Sequence, residues 1–201
     1  MELLDIVHSE TGESTGLHMP RHEALAQKAW CRSTNVFVVN SKGELLCHQR
    51  SLEKERMPGI WSTHLGGHVG AHETYQENAL KELHEEAGIK KEKHELIPWR
   101  THRAEHTPKG QHVHLWMHDF VTLHDAHVDD LVPQPGEVER FEWMSARDIM
   151  NAAEKNPELW CAGVNDFRTD FVCLCAALTA AQAAGIVQVP SPIHHWHPAV
   201  A

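Results

Sequence analysis

The sequence predicts a single α/β domain with helices on both faces of a mixed sheet, on three observations. Short runs rich in β-branched residues interleave with segments of helical period, the pattern of layered α/β packing. No repeat or low-complexity linker divides them. The length, 201 residues, suffices for one domain and is short for two.

Taken in order, residues 2–8 (ELLDIVH) read as a strand, followed by the turn-prone run SETGESTG over 9–16. Met19 to Trp30 is a connecting stretch with some helical character. Asn35 to Val39 (NVFVV) is a buried-strand run, Asn40-Ser41-Lys42-Gly43 a turn, and Glu44 to Arg50 a second strand; together they form a hairpin. A helix is expected from Tyr75 to Ala87. Thr74 with Glu77 three residues on is a capping-box pattern, and Gly88 suits the residue just past a helix end. Two further strands, Glu95 to Ala104 and His112 to Val121, flank the turn signal Thr107-Pro108-Lys109-Gly110. Phe141 to Met144 closes the strand series, Ala146 to Lys155 is a helix, and Arg168 to Ala184 the last one. The expected organisation is an N-terminal strand and connection over 1–29, a core over 30–155, and a C-terminal helix and tail over 156–201.

Eighteen basic against 28 acidic side chains leave a formal charge of −10. That balance argues against a nucleic-acid polymer as partner. An anionic small molecule would also be repelled unless a cation bridged the two. Five cysteines, an odd number without framework spacing, fit a reducing, cytoplasmic setting. Cys173 and Cys175 form a lone pair with no second pair to complete a zinc site. The start, MELLDIVHSE, lacks the basic region and apolar run of a signal peptide. Val172 to Val189 approaches the length of a membrane span, yet it carries Thr179, Gln182, Gln188 and Gly185, so a docked helix is expected and no membrane contact. His194-His195-Trp196-His197 reads as an exposed tail. A homodimer is left open.

The stretch GGHVGAHETYQENALKELHEEAGI, Gly66 to Ile89, carries the chemistry. At about 100° per residue Glu82, Glu85 and Glu86 lie within roughly 100° of one another on the helix surface. Leu80, Leu83 and Ala87 form the adjoining apolar stripe. Carboxylates at the edge of a buried face repel one another unless something positive sits between them. Hard divalent cations such as Mg²⁺ take carboxylate oxygens and keep waters and substrate phosphates as further ligands. The plainer alternative is a solvated acidic helix face.

From Gly67 the chain runs five residues to Glu73, seven more, then Lys81-Glu82-Leu83-His84-Glu85-Glu86-Ala87-Gly88-Ile89. This resembles the signature of the Nudix family, Gly-x5-Glu-x7-Arg-Glu-U-x-Glu-Glu-x-Gly-U, with U a bulky aliphatic residue. Lys81 alone departs, standing where the family has arginine. It keeps the charge and loses the planar fork. The resemblance implies an α/β/α sandwich with a mixed sheet. It also implies a Mg²⁺-dependent hydrolase (Mn²⁺ as substitute) of a small diphosphate, with Glu82, Glu85, Glu86 and the Gly67 carbonyl holding the metal. Glu82 or Glu85 is the favoured base, with Glu137 or Glu139 on the downstream loop as contenders. Glu73 and Lys81 brace the site. His68 could reach phosphate, Arg50 is a further substrate-binding candidate, and Trp61, Trp99, Trp116 and His114 could stack on a base or simply pack in the core.

Asn40 to Gly67 and Pro135 to Trp143 are similar to the hydrolases grouped with isopentenyl-diphosphate isomerase. The isomerase stretch resembling W-T-N-S-x-C-G-H is here Trp61-Ser62-Thr63-His64-Leu65-Gly66-Gly67-His68, with Gly66 at the cysteine position. The strand after Gly110 reads QHVHLW and holds no acid, so carbon acid–base chemistry lacks both partners. Hydrolysis of a nucleoside di- or triphosphate is the favoured reading. A weakly active Nudix-fold binding module, suggested by Lys81, and an isomerase-type enzyme are the alternatives.

Overall fold

The computed structural model describes residues 2–55, 57–106 and 113–161. Its elements are β1 (Leu3–Val7), β2 (Ser14–Pro20), α1 (Arg21–Ala26), β3 (Cys31–Val39), β4 (Leu45–Arg50), β5 (Trp61–Ser62), α2 (Tyr75–Ala87), β6 (Ile97–His106), β7 (Val113–Leu123), β8 (Val138–Met144) and α3 (Ala146–Lys155).

β3 organises the sheet. It runs parallel to β7 from Cys31 opposite Leu115 to Val39 opposite Leu123, and β7 is antiparallel to β6. On its other side β3 meets β4 only at Val39 opposite Leu45, beside the hairpin turn. Further along, that edge of β3 is hydrogen-bonded to a loop instead: Val36 and Leu65 exchange both backbone bonds, and Thr34 N–H donates to the Gly67 carbonyl. β4 continues the sheet antiparallel to β5 and β8. β1 pairs with β2 and touches β3 at Ile6 opposite Cys31.

Because side chains alternate along a strand, β3 buries two sets. Val36 and Val38 pack with Ala79, Leu83 and Ala87 of α2, together with Leu46, Leu65 and Phe120. Phe37 and Val39 pack with Ile149 and Ala153 of α3, together with Leu45, Cys47, Val121 and Trp160. The helices therefore cover opposite faces, as an α/β/α sandwich requires.

Both principal helices occupy the expected residues, because their ends are coded locally. Thr74 and Glu77 form the reciprocal capping box, and Gly88 takes the left-handed conformation, φ 70°. Ser145 caps α3 through the Asp148 N–H. The main departure is β2, which falls partly in the expected turn: Ser9 to Gly12 turns, and Ser14 already begins a strand. β2 is an exposed edge strand, so it lacks the alternation that marks a half-buried strand. β3 and β8 start earlier than their apolar runs suggest, and β5 was not expected. The turn at Thr107–Gly110, the helix at Arg168–Ala184, Cys173, Cys175 and the histidines at 194, 195 and 197 lie outside the described residues. Among the described residues no helix is long and apolar enough to cross a membrane.

Leu83 and Ile149 are both fully buried, one in each cluster. Leu83→Ala and Ile149→Ala should each lower unfolding free energy by about 2–5 kcal/mol in urea titrations. The double variant should lose the sum within about 0.5 kcal/mol, because the two sites share no partner. Strong coupling would mean that the two faces are not independent layers.

Candidate functional site

The site forms where the loop along β3 meets α2. Gly66 has φ 145°, and a Cβ there would overlap the carbonyl oxygen of Thr34. Only glycine fits so close a strand. Its N–H donates to Glu86 Oε2 at 3.0 Å. A Cβ on Gly67 would lie 2.9 Å from Glu82 Oε1. Two residues without side chains thus let the acidic face of α2 lie directly on the loop.

The Gly67 carbonyl is hydrogen-bonded within the fold. It accepts from Thr34 N–H at 3.0 Å and from Ser33 Oγ at 2.9 Å. Both bonds come from β3, so a metal ion would share this oxygen with them.

Glu86 is 8% exposed. Burial, then repulsion from Glu82, pushes its pKa up to about 8 against the opposing Gly66 N–H, and Glu137 adds to the rise while Arg50 opposes it. Burial likewise pushes Glu82 up to about 7; Lys81 opposes, and Glu85 adds to the rise. Glu85 itself is exposed. Lys81 Nζ grips both oxygens of Glu73, at 3.1 and 3.0 Å. Burial works against that ammonium, but the Glu73 hydrogen bond and the charges of Glu73, Glu82 and Glu85 hold its pKa above the ordinary value. Burial works against Glu73 as well, yet Lys81 and the Gly70 N–H hold its carboxyl below the usual range. Glu73 and Lys81 are therefore paired.

The remaining candidates divide. Arg50, at the end of β4, and Glu137, just before β8, both act electrostatically on Glu86. Glu137 is clamped by Lys54, whose Nζ lies 2.6 Å from each oxygen. The backbone of His68 lies against β3, opposite Ser33, and its carbonyl accepts from Asn78. Glu139 is exposed. Trp61 is not brought to the carboxylates. It packs in the cluster beneath α3, stacked on Trp160 at 6.0 Å with Arg140 over its ring. Trp99, Trp116 and His114 are likewise engaged, with Phe37, the His8 and Ser9 carbonyls, and Trp30 respectively. Trp61 and Trp99 pack against the core beneath α3, whereas Trp116 and His114 are half-buried and held by hydrogen bonds to backbone carbonyls.

Sequence reasoning missed three groups. Asn78 is buried inside α2 and touches the carboxylates. Arg32 bonds Asp5 and the carbonyls of Gly70 and Glu73, tying the N-terminal hairpin to the loop. A polar cluster on the α3 side joins fully buried Asp119 to Arg100 and Asn35, with His64 and His102 alongside. Burial, with Arg100, Arg50 and His102 adding to it, pushes His64 down to about 4 despite Asp119, so the ring is neutral at pH 7. The one available signal was polar residues at periodic core positions, as at Asn78, four residues from both Thr74 and Glu82.

Among the described residues no three His, Cys, Asp or Glu side chains converge to hold a metal unaided. Mg²⁺ characteristically takes one or two carboxylates and completes its shell with substrate phosphates and water. Glu82 and Glu86, hard oxygen donors with the Glu82 charge raising the proton affinity of Glu86, fit that share.

An unfolded glutamate releases its proton near 4.5, while folded Glu82 and Glu86 hold theirs to about 7 and 8. The folded state then binds more protons over that window, and stability falls as pH rises through it. Between pH 7 and 9 the metal-free protein should lose about 2 kcal/mol of unfolding free energy, and Glu86→Gln should remove most of that slope. Millimolar Mg²⁺ should restore stability more at pH 9 than at pH 7. Urea titrations with and without the metal give the measurement, and a flat profile for the unaltered protein would contradict the burial of charge at Glu86.

Comparison with known proteins agrees with this geometry. The NUDIX domain family matches residues 30–161, about two thirds of the chain. An isopentenyl-diphosphate Delta-isomerase of Kocuria rhizophila is 26% identical over 156 residues, covering 74% of this chain and 84% of that protein. A Nudix hydrolase of Pseudomonas aeruginosa is 40% identical over 72 residues, 36% of this chain and 43% of that protein. The crystal structure of DR0079 from Deinococcus radiodurans superposes with a TM-score of 0.64 at 26% identity, covering 84% of this chain and 98% of that one. With the family match running from before β3 to beyond α3 and enclosing the whole glycine loop and glutamate helix, the chain belongs to the Nudix domain family.

Proposed function

We propose that the protein is a Mg²⁺-dependent hydrolase that cleaves a diphosphate bond in a nucleoside di- or triphosphate or a similar nucleoside-diphosphate-linked substrate, with Mn²⁺ as a substitute ion. One observation carries the reading: Glu82 and Glu86 lie on a side-chain-free loop, where burial and neighbouring carboxylates outweigh the pull of Lys81 on Glu82 and of Arg50 on Glu86. Such a pair calls for a cation shared with an anionic ligand.

The chain's own residues then divide the work. Glu82 and Glu86, with Glu85 from the exposed rim, would hold the ion. When bound, it neutralises the diphosphate and lowers the pKa of a water. Hydrolysis joins the water oxygen to phosphorus, and the bridging oxygen leaves with the electron pair. The water's proton passes to a carboxylate. Glu137 is engaged by Lys54 on both oxygens, which makes it a poor acceptor while that clamp holds, so Glu82 or Glu85 is the favoured base. Arg50, whose charge acts on Glu86, and His68 would meet phosphate.

A nucleoside suits the surroundings better than an isoprenoid chain. The charge of Arg50 acts on Glu86 on one side and on His64 on the other. Beyond His64, whose ring packs on Phe37, lie His102, Asn35 and the Arg100–Asp119 pair, a partly polar surrounding. Five cysteines, an odd number without framework spacing, support a cytosolic setting.

Several relatives are named as isomerases, and position 66 speaks against that activity here. An isomerase-type thiol cannot be carried on a backbone where a Cβ meets the Thr34 carbonyl. The non-catalytic alternative is weakened because Lys81 still makes the contact to both Glu73 oxygens.

The direct test is release of phosphate or pyrophosphate from a panel of nucleotide and isoprenoid diphosphates with Mg²⁺. Glu86→Gln should cut turnover at least about 100-fold, since an amide is a poor ligand for a hard cation, while leaving the metal-free protein more stable at pH 8. Activity that survives EDTA would sink the reading.

The unaltered protein should incorporate no deuterium from D₂O into isopentenyl diphosphate above a no-enzyme control, followed by NMR. Gly66→Cys should impair hydrolysis without creating exchange. Exchange by the unaltered protein would make the isomerase assignment the correct one.

A further inference from the structure

Position 78 is one of the seven residues that the signature leaves unspecified between Glu73 and position 81. In the structure Asn78 is completely buried within α2. Its Oδ1 accepts from the Thr34 hydroxyl at 2.5 Å, and its Nδ2 donates to the His68 carbonyl at 3.0 Å. A backbone carbonyl can only accept, so these two contacts decide which end of the amide faces which partner. One hydrogen on Nδ2 is thereby used. The other faces two carboxylate oxygens, with Nδ2 3.4 Å from Glu82 Oε1 and 3.5 Å from Glu73 Oε2. Contacts of that length are individually weak. Shared by one donor in a buried setting, they pull both carboxylates toward the same point.

Lys81 accounts for the other half of the arrangement. Its ammonium hydrogen-bonds both oxygens of Glu73 and, among the described residues, donates to no second carboxylate. A guanidinium at that position could address two carboxylates with separate arms of a planar fork, whereas an ammonium is a point charge on a flexible stem. The helix geometry puts Asn78 four residues before Glu82, on the same face. It is therefore placed where a second arm would reach.

We propose that Asn78 is a positioning residue that supplies the arm Lys81 lacks, tying Glu82 to the Glu73–Lys81 pair and fixing where the Glu82 carboxylate sits beside Gly67. Its consequence for turnover rests on the hydrolase reading above; the tie itself does not. The brace is divided in this chain between an amide buried in the helix and a lysine at its surface.

The test compares Asn78→Ala, Lys81→Arg and the double variant with the unaltered protein, by kcat and KM on the best substrate of the panel, by Mn²⁺ affinity from electron paramagnetic resonance, and by Tm. Asn78→Ala should lower kcat about tenfold with KM changed less than about twofold, because misplacing a catalytic group acts on the reacting geometry more than on binding. It should weaken Mn²⁺ binding and lower Tm, since the Thr34 hydroxyl and the His68 carbonyl lose their partner. Adding Lys81→Arg should recover most of kcat and Mn²⁺ affinity but not Tm, because an arginine at the surface cannot reach Thr34 or His68. That separation of activity from stability is what a purely structural asparagine would not produce. A fall in Tm with kcat and Mn²⁺ affinity unchanged would overturn the proposal, as would failure of the arginine to rescue.

Should Asn78→Ala not fold, the side-chain amide of Asn78 in ¹⁵N-labelled, otherwise unaltered protein decides the matter. Its two protons should be protected from exchange, and Glu82→Gln should shift the one facing the carboxylates while the one facing His68 holds its position. No shift would overturn the tie. If the unaltered protein hydrolyses nothing in the panel, the functional reading fails while the amide spectrum and Mn²⁺ affinity still decide the brace.

Discussion

Carboxylates resist leaving water, and the site depends on how this chain makes two of them do so. Glu86 receives a single backbone N–H, from Gly66, and Glu82 receives a long contact from an amide. Neither bond offsets burial, as their raised proton affinities attest. The strain is borne by the rest of the fold. α2 is held at its start by a reciprocal capping box, along its length by Ala79, Leu83 and Ala87, and at its end by a left-handed glycine. The loop is held from the other side by a ladder of bonds to β3. Two rigid elements pressed together keep the charges where neither would stay alone.

The N-terminal hairpin belongs to this scaffold. β1 bonds the loop directly, with Leu4 opposite Gly70 and the Ala71 N–H donating to the Leu3 carbonyl. Arg32 reinforces the junction from β3, bonding Asp5 at 2.8 Å and the Glu73 carbonyl at 2.8 Å. Asp5 is shared with His18 at 2.8 Å. A largely buried pair of this kind is weak evidence for net stability, yet losing either partner leaves a charge stranded. Its value here is geometric, because the carbonyl it holds immediately precedes the helix N-cap.

One fold serves both phosphorus and carbon chemistry among the relatives of this chain, and fold alone does not choose between them. The choice falls on side chains and, at one point, on backbone. Position 66 runs so close to β3 that the strand excludes any Cβ, and the same closeness delivers its N–H to Glu86. A thiol at this position and this placement of Glu86 are mutually exclusive. The charge of Arg50 acts both on Glu86 and on His64, beside the polar cluster around Asp119.

Much of the fold was legible because the relevant codes are local. Capping at Thr74 and Ser145, the glycine at 88 and the β-branched run at 35–39 act within a few residues, so both helices stand where their codes placed them and β3 ends where its run does, though it starts four residues earlier. β2 was illegible because an exposed edge strand takes its conformation from hydrogen bonds to β1 and not from a buried face. The acidic cluster, too, was visible as spacing along a helix. Its environment was not. Whether Glu85 or Glu86 is the buried member, that the Gly67 carbonyl turns to Ser33 and Thr34, that Trp61 packs beneath α3, and that Asn78 reaches Glu82 are all settled by segments distant in sequence. By itself the sequence determined the helices, the charge they carry and the family signature, since these follow from periodicity and neighbours along the chain. The tertiary structure alone decided which oxygens are desolvated and which are already bonded, because desolvation is set by whatever packs across the gap, and no local pattern encodes it.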